Sequence, residues 1–384
     1  MKEAPRPYRI PFNRVHLTGS ELAYIAEAVE RGHLSGDGAF TRRASTLLEE
    51  TLGVPRVLLT TSCTHALEMA ALLLDLKPGD EVIVPSFAFV TTVNAFVLHG
   101  ARPVFADVRP DTLNLDERSL PALVTARTRA VVPLHYGGVA CEMEPILMTA
   151  HRHGLTVVED NAHGLFATQR GKALGTFGAL ATQSFHETKN ITCGEGGALL
   201  INDPALVARA EILREKGTNR ARFFRGQVDK YTWVDLGSSY LPSEILAAFL
   251  LAQLEARASL QAARERIWER YRAELAGWAE ENGVGLPHVP ASCVQPYHVF
   301  YLMMPGLDAR TRFIEHLKAR GILAVFHYQP LHLSDMGRRL GGRPGQCPVT
   351  EDVADRLVRL PLFAGLSEAD QGDVIDAVRG SRLA

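Results

Sequence analysis

Cysteine is scarce in this 384-residue chain, and its placement argues against two common uses of the residue. The five cysteines are odd in number, lie far apart and never form a CxxC pair. A disulfide framework, a zinc motif or a redox motif needs paired or closely spaced cysteines. We therefore expect a reduced, cytoplasmic protein without a disulfide framework. The cysteines stand at Cys63, Cys141, Cys193, Cys293 and Cys347.

The sequence also lacks a motif for a bound metal. Its fourteen histidines include those of HRH at 151–153 and a pair at His327 and His332, but no HExxH occurs. Scattered histidines of this kind are more often structural or exposed than metal ligands. We therefore predict no metal site.

Neither one sign of charge nor a long apolar run dominates the chain. The net charge is −2, and the hydrophobic fraction of 46% is ordinary for a globular protein. No basic footprint for nucleic acid and no polybasic membrane anchor is present. The opening MKEAPRPYRIPFNRVHL has no signal-peptide core, and no run approaches the roughly 20 apolar residues of a membrane span. We expect neither a nucleic-acid partner nor a membrane.

Strand and helix patterns alternate through the first two-thirds of the chain. RVLLTTS is typical of a strand, and the next stretch places Leu67, Ala70, Ala71 and Leu74 on one helical face. The later strands GDEVIVPS, RPVFADV, LTVVEDNAH and GALATQSFH show no polar alternation. Such strands between helices predict a mostly parallel sheet buried on both faces, with ligands at the carboxyl ends of its strands.

The pattern changes near residue 243. Residues 243–278 form a long helical pattern with few breakers, and YHVFYLMM, TRFIEHLKARGI and LAVFHY then predict a strand, a helix and a strand. A chain of this length exceeds one ordinary domain. We predict a large α/β domain over 1–250 and a smaller C-terminal α/β domain over 251–384.

Two acidic residues end the buried strand in LTVVEDNAHG. Burying Glu159 and Asp160 costs free energy unless a partner uses them. A nearby cation, such as a protonated pyridine nitrogen, would keep one of them ionised. Alternatively, Asp160 only caps a following helix, and this segment alone does not separate the two interpretations.

A second candidate site lies where a strand meets a helix in TTSCTHALEMA. Ser62, Cys63 and Thr64 stand at the helix N-terminus, where free N–H groups and the helix dipole favour an anion such as phosphate. Plain N-capping by Ser62 is the alternative, and the segment alone favours it.

A lysine stands between a polar turn and a glycine-rich run in SFHETKNITCGEGGALL. Lys189 either belongs to a solvated turn or is a pocket amine that forms an imine with a carbonyl compound. Ser184 would then help to bind a phosphate, and the glycines would let backbone approach a flat ligand. The order of phosphate turn, aromatic residue, strand-end Asp, Ser and Lys favours the imine.

These segments together resemble the pyridoxal-phosphate sugar aminotransferases of the DegT/DnrJ/EryC1/StrS group. HLSGDGAFTRR, PGDEVIVPSFAFVTT, VVEDNAHG, SFHETKNITCGEGGALLIND and HYQPLH follow that family in order over nearly the whole chain. EILREKGTNRARFFRGQVDKYTWVDLGSSYL is similar to the dTDP-4-amino-4,6-dideoxygalactose transaminases within it. The resemblance implies an aspartate-aminotransferase-like fold of type I and a homodimer with shared active sites.

The resemblance also implies roles for individual residues. Lys189 and Asp160 would be catalytic: Lys189 would bind pyridoxal 5′-phosphate covalently and transfer protons, and Asp160 would contact the pyridinium nitrogen. His163 would lie beside the ring, and Phe89 would stack on it. Core packing is the alternative for Phe89. The cofactor phosphate would be held by Ser62, Cys63, Thr64 and Ser184.

Two departures from the family pattern fall in this region. Cys63 replaces a glycine that many relatives have between Ser62 and Thr64, which leaves less room for a phosphate. In GSSYL, Ser239 stands where many relatives have an asparagine that reaches the neighbouring subunit's phosphate, and Leu241 stands where arginine is common. The dideoxygalactose transaminases share GSSYL, so the change indicates a subgroup.

The activity that the resemblance implies is a ping-pong amino transfer. L-Glutamate would convert the cofactor to pyridoxamine phosphate, and the amine would then pass to C4 of a dTDP-linked 4-keto-6-deoxy-hexose, with a galacto product favoured over a gluco one. The candidates for substrate contacts include charged side chains that would bind the diphosphate of the nucleotide and that are equally well explained as solvated side chains. These candidates are Lys216, Arg222, Arg225, His327 and Tyr328.

Two alternatives of other kinds stay open at this point. A dehydratase of the same family would carry histidine in place of Lys189. A non-catalytic regulatory protein that binds sugar or cofactor is disfavoured by the presence of both Lys189 and Asp160. A nicotinamide oxidoreductase is disfavoured because no GxGxxG follows a first strand.

Overall fold

The structure, a computed structural model, describes residues 8–383, and its strands form three sheets. In chain order the strands are β1 (Arg56–Thr60), β2 (Glu81–Pro85), β3 (Arg102–Ala106), β4 (Thr128–Val131), β5 (Thr156–Asp160), β6 (Thr168–Gln169), β7 (Lys172–Ala173), β8 (Leu180–Ser184), β9 (Gly197–Ile201), β10 (Cys293–Val294), β11 (Tyr301–Met303), β12 (Val325–Phe326) and β13 (Leu357–Arg359).

The α-helices cover both faces of the largest sheet and fill the C-terminal part. They are α1 (Glu21–Glu30), α2 (Ala39–Leu52), α3 (Cys63–Leu73), α4 (Thr91–Val97), α5 (Leu120–Leu123), α6 (Met143–His153), α7 (Val207–Arg214), α8 (Arg220–Phe224), α9 (Glu244–Glu255), α10 (Arg257–Glu281), α11 (Leu307–Ala319), α12 (Asp335–Arg339), α13 (Pro348–Arg356) and α14 (Glu368–Arg379).

The largest sheet has seven strands in the order β1-β9-β8-β5-β4-β2-β3. The pairs from β8 through β5, β4 and β2 to β3 are parallel, and β9 runs antiparallel to both of its neighbours, β1 and β8. The predicted mostly parallel sheet is therefore confirmed.

Alternate residues of these strands enter different cores, which explains the absence of polar alternation. In β2, Val82 and Val84 pack with residues of α3 and α4, whereas Ile83 packs on the other face with residues of α6. In β1, Leu58 packs on the α3 side, and its neighbour Leu59 packs with residues of α2 and α9. Side chains of successive strand residues point to opposite faces, so a sheet covered on both faces must be apolar throughout.

A second core lies in the C-terminal part, where the sheet β11-β13-β12 packs with α10, α11 and α14. Ile10, from the start of the described chain, also enters this core and bridges to Ile322. The short strand β10 pairs with β6 of the first half. Contacts between the two predicted domains therefore occur at more than one place. The boundary at 250/251 stays a prediction.

The long helical pattern of residues 243–278 folds as two helices rather than one. α9 begins after Ser243, whose hydroxyl accepts the Leu246 N–H, and α10 begins after a break at Ala256. Ser367 caps α14 in the same way. No helix within residues 8–383 is long and apolar enough to cross a membrane.

Candidate active site

The predicted site residues meet at one edge of the seven-stranded sheet. β1, β5 and β8 run in the same direction, so Ser62, Asp160 and Ser184 all lie at or just beyond a carboxyl end. A cavity of about 550 Å³ opens at this edge. It is lined by ten of the predicted residues: Ser62, Cys63, Thr64, Phe89, Asp160, His163, Ser184, Lys189, His327 and Tyr328.

Asp160 is buried at the end of β5 and held by two donors. The Thr92 hydroxyl donates to its Oδ2 at 2.6 Å, and the Ala162 N–H donates to its Oδ1 at 3.2 Å. Turns rather than a helix follow β5, so capping of a helix does not explain this carboxylate. Burial raises the pKa of Asp160 against the effect of these hydrogen bonds, and a cation in the cavity would restore the ionised form.

The neighbouring acid, Glu159, serves the fold and not the cavity. Its carboxylate accepts hydrogen bonds from the backbone N–H groups of Gly175, Phe177 and Gly178. Nε2 of His135 lies 2.9 Å from its Oε2. The Cys141 N–H donates to Nδ1 of His135, which assigns the ring proton to Nε2. The two adjacent acids of β5 therefore have separate uses, as expected for side chains on opposite faces of a strand.

Lys189 lies in the loop between β8 and β9, with its side chain in the cavity. Its Nζ has no hydrogen-bond or ion-pair partner within residues 8–383. Burial lowers the pKa of Lys189 to about 8, and the carboxylate of Asp160 acts in the opposite direction. An amine with this pKa is neutral far more often near neutral pH than an ordinary lysine, as a nucleophile requires.

The N-terminus of α3 forms another wall of the cavity. The Ser62 hydroxyl accepts the His65 N–H at 3.1 Å, so the capping interpretation holds, while Ser62, Cys63 and Thr64 also line the cavity. Gly196 of the glycine run lines the cavity, and its predicted approach to a flat ligand stays a prediction, whereas Gly197 has a use within the fold. A Cβ at Gly197 would overlap the backbone of Ser62 and Cys63, so this glycine allows β9 to pass beneath the helix N-terminus.

Aromatic and imidazole rings cover the side of the cavity near Asp160. The Gly137 N–H donates to Nδ1 of His163 at 3.2 Å, and the Tyr328 hydroxyl lies 3.3 Å from Nε2 of the same ring. Burial lowers the pKa of His163 and of His327 well below the usual value, so both rings are neutral. Phe89 is 54% exposed and lines the cavity, which argues against the alternative that it packs in the core.

Four predicted residues lie outside the cavity as residues 8–383 form it. Lys216 and Arg225 are exposed and bind Glu215 and Glu211, respectively. Arg222 is also exposed, and Ser239 lies on the surface, where its backbone forms a β-bridge with that of Glu215. Within a single chain, the predicted diphosphate contacts are therefore solvated charges.

Several cavity residues were missing from the sequence prediction. Thr92 holds Asp160, and Phe12, His298 and Arg359 lie outside the segments that resemble the family. Thr92 had a weak signal, since it falls inside SFAFVTT. Phe12, His298 and Arg359 had none, because only the packing of the C-terminal part and the N-terminal segment on the sheet edge brings them to the site.

The comparison with known proteins identifies the family. The sequence profile described as the DegT/DnrJ/EryC1/StrS aminotransferase family matches residues 16–379. The chain belongs to this family. A relative, the GDP-perosamine synthase of Caulobacter vibrioides, is 36% identical over 96% of this chain and 97% of its own.

Solved structures of aminotransferases are similar to this chain over nearly its whole length. The aminotransferase TlmJ from Streptoalloteichus hindustanus is 32% identical with a TM-score of 0.87, covering 97% of each chain. DesV of S. venezuelae is 31% identical with a TM-score of 0.87, covering 97% of this chain and 98% of its own. Spr1654 from Streptococcus pneumoniae, 25% identical with a TM-score of 0.90 over 97% and 98%, is known in PMP and PLP forms. The fold is that of pyridoxal-phosphate aminotransferases, and this chain is a pyridoxal-phosphate-dependent sugar aminotransferase.

The residues of the cavity fit this cofactor. A helix N-terminus with Ser62 and Thr64 suits its phosphate, buried Asp160 suits a protonated ring nitrogen, and the Lys189 amine suits its aldehyde. The close approach at Gly197 adds to the fit, because it fixes the α3 N-terminus next to the strand that follows the lysine loop. The substrates of this family are a nucleotide sugar and an amino donor.

Proposed function

We propose that this aminotransferase moves the amino group of L-glutamate to C4 of a nucleotide-linked 4-keto-6-deoxy-hexose. The proposed product is a dTDP-4-amino-4,6-dideoxy sugar of galacto configuration. The observation that carries the proposal is the meeting of Lys189, Asp160 and the α3 N-terminus around one cavity, in a chain whose GSSYL segment is similar to the dideoxygalactose transaminases.

The proposed roles follow from the contacts of each side chain. Pyridoxal phosphate, when bound, supplies a ring that accepts electrons from the substrate carbon. Asp160, held by Thr92 and the Ala162 N–H, binds the ring nitrogen and keeps it protonated. Lys189 binds the cofactor as a neutral amine and later carries a proton to and from the substrate carbon. Ser62, Thr64, Cys63 and Ser184 hold the phosphate.

One relative suggests a second candidate for the nucleotide. The GDP-perosamine synthase of Caulobacter vibrioides acts, by its name, in forming a GDP-linked sugar. This observation favours GDP over dTDP, whereas the GSSYL segment favours dTDP. Both nucleotides are therefore compared in the experiments below.

The proposed active enzyme is a homodimer with shared active sites, working in the cytoplasm. Within the described chain, the segment 220–239 exposes large apolar side chains, including Phe224 at 70% and Trp233 at 76%. Exposed aromatic side chains in one segment are typical of a contact surface. We place the second copy against this segment, which also carries Arg222, Arg225 and Ser239.

Transfer of isotopic nitrogen tests the proposal. The holoenzyme is supplied with ¹⁵N-L-glutamate and the dTDP-linked or GDP-linked 4-keto-6-deoxy-hexose, and the sugar product is examined by mass spectrometry and NMR. We expect ¹⁵N on C4 of the sugar and one equivalent of 2-oxoglutarate. A sugar that loses a hydroxyl group without gaining nitrogen would instead establish the dehydratase alternative.

A further inference from the structure

A chain of hydrogen bonds that the roles described above do not use joins two of the segments that resemble the family. The Ser86 hydroxyl lies 2.6 Å from Nδ1 of His332, and Nε2 of the same ring lies 2.9 Å from Oε1 of Glu351. The His332 N–H donates to Oγ of Ser86 at 3.2 Å, and the Leu331 N–H donates to the Ser86 carbonyl at 3.0 Å. The residue that follows β2 is therefore bound to residues 331–332 through three contacts.

The direction of each hydrogen bond in this chain follows from Glu351. The hydrogen bond from His332 lowers the pKa of Glu351, so this side chain is an ionised carboxylate and can only accept. The ring proton of His332 therefore lies on Nε2, and Nδ1 accepts the Ser86 O–H. The Ser86 hydroxyl donates to the ring and accepts the backbone N–H of the same histidine, so both of its bonds hold one residue in place.

Serine, histidine and glutamate also form the nucleophilic triad of some hydrolases, but this serine is not placed to attack a substrate. Ser86 and His332 are both fully buried, and neither lines the cavity as residues 8–383 form it. A nucleophilic hydroxyl has to reach the carbon that it attacks. The chain of hydrogen bonds therefore fixes positions and carries no covalent step.

The cavity side chain closest in sequence to this anchor is Tyr328. Two residues, one of them a proline with its restricted φ, separate it from Leu331. The ring of Phe87, which follows the anchored serine, lies 5.6 Å from the Tyr328 ring. The Gly137 N–H donates to Nδ1 of His163, so in this neutral ring Nε2 carries the proton and faces the Tyr328 hydroxyl 3.3 Å away. Tyr328 is thus the acceptor that holds the His163 ring.

We propose that Ser86 and His332 are positioning residues for amino transfer, which hold the Tyr328 hydroxyl against His163 in the cofactor cavity. A displaced Tyr328 leaves the buried N–H of His163 without an acceptor, and the surrounding side chains then shift to satisfy it. Small displacements at a reacting centre lower the rate even when no residue that touches the substrate is replaced. This assignment goes beyond the proposed function, because it does not depend on which sugar or nucleotide is used.

Two replacements of His332 that are similar in size test the assignment. His332→Asn places an oxygen near the position of Nδ1 and keeps an acceptor for the Ser86 hydroxyl, whereas His332→Leu removes it. The absorbance of the holoenzyme is followed after addition of L-glutamate over a concentration series. For His332→Leu and Ser86→Ala we expect the rate constant at saturation to fall about 10-fold or more and the half-saturating concentration to change less than about 2-fold. His332→Asn should keep at least about a third of the wild-type rate constant.

Combination with Tyr328→Phe shows whether the effect passes through the phenolic hydroxyl. Ser86→Ala should slow the reaction about 10-fold in the wild type but less than about 2-fold in Tyr328→Phe, because the contact that it positions is already lost there. Equal slowing in both backgrounds would overturn the assignment.

A second buried hydroxyl separates positioning from stability. Ser381 donates to the Val378 carbonyl at 2.7 Å in the C-terminal part, outside the cavity, and Ser381→Ala is the matched control. Both Ser86→Ala and Ser381→Ala should lower the unfolding temperature, but only Ser86→Ala should slow the reaction. If Ser86→Ala also lowers only the unfolding temperature, the contact serves the fold alone and the assignment is wrong.

The visible circular dichroism of the bound cofactor gives a measurement that needs no substrate, because its intensity depends on the groups packed around the ring. It should weaken in Ser86→Ala and His332→Leu and stay unchanged in Ser381→Ala. Unchanged dichroism in Ser86→Ala and His332→Leu would contradict the positioning role. If the dichroism weakens as expected but the wild type does not react with L-glutamate, the proposed function fails while the positioning role stands.

Discussion

Burial opposes the charged form of both Lys189 and Asp160, yet the chemistry proposed for them needs opposite outcomes. The pKa of Lys189 falls to about 8, which makes its neutral amine available. The pKa of Asp160 rises, which disfavours its carboxylate until a cation arrives. Without the cofactor, the site therefore favours the form that Lys189 needs, the neutral amine, but not the form that Asp160 needs, the carboxylate. A protonated ring nitrogen would stabilise that carboxylate.

Replacement of the lysine should abolish turnover without unfolding the protein. Lys189→Ala removes the only side chain assigned to both covalent binding and proton transfer, so we predict a loss of at least about 10³-fold in kcat. Thermal unfolding should be unchanged or slightly improved, because a buried amine is removed. Lys318→Ala, at an exposed position of α11, serves as the control. Multiple turnover by Lys189→Ala would contradict its role.

The pKa of Lys189 also sets a pH dependence. In the protein without cofactor, the rate of covalent capture of pyridoxal phosphate should rise with pH and level off just above pH 8, because the neutral amine then predominates. A lysine with an ordinary pKa would give a rate that continues to rise toward pH 10. Such a continued rise, measured by stopped-flow absorbance, would show that the amine is not desolvated.

Asp160→Asn should separate stability from function. Because the carboxyl pKa is raised on folding, the unfolded chain loses this proton first, and the carboxylate destabilises the cofactor-free fold as pH rises above the unfolded value. Asp160→Asn should therefore melt at the same or a higher temperature than the wild type at pH 7, with the difference vanishing near pH 3. Its kcat should fall by about 10² or more, since the ring nitrogen loses its partner. A cofactor-free variant that is clearly less stable at pH 7 would show that Asp160 is needed by the fold.

The packing of β9 against the N-terminus of α3 depends on a single residue, Gly197. Gly197→Ala would push a methyl group into the backbone of Ser62 and Cys63, so we predict a loss of about 1–3 kcal/mol in stability and weaker cofactor binding. Gly277→Ala, in open space on α10, is the matched control and should stabilise by about 0.5–1 kcal/mol. Denaturant unfolding and cofactor titration measure both effects. Equal stability of the two variants would contradict the close packing of Gly197 against the backbone of Ser62 and Cys63.

The sequence predicted the strands and site residues at the edge of the large sheet better than it predicted the helices and the residues from the C-terminal part. Buried strands followed by Ser62, Asp160 and Ser184 are local patterns, and parallel strands bring their ends together without further information. The break at Ala256 was missed, because no proline or glycine marks it and the helical pattern continues across it. Arg359 was missed for another reason, since its position in the cavity depends on contacts between residues far apart in sequence.

At the scale of the whole molecule, the chain should form a dimer through the segment 220–239. Phe224→Ser together with Trp233→Ser should raise the dimer dissociation constant at least about 10-fold, because these exposed side chains would lose their apolar contacts. Met148→Ser, at an exposed apolar residue outside this segment, is the control. Analytical ultracentrifugation over a concentration series measures the shift. A monomeric wild type, or a double variant that dimerises normally, would contradict the proposed surface.

The second half-reaction, run alone, tests the proposed transfer to C4. The protein is loaded with pyridoxamine phosphate, and dTDP-linked or GDP-linked 4-keto-6-deoxy-hexose is added without glutamate while the visible absorbance of the aldehyde form of the cofactor is followed. We predict that this absorbance returns with one of the two sugars, that Lys189→Ala prevents it, and that an aminated sugar with nitrogen on C4 is recovered. No return with either sugar, in protein that demonstrably holds the cofactor, would contradict the proposed transfer to C4.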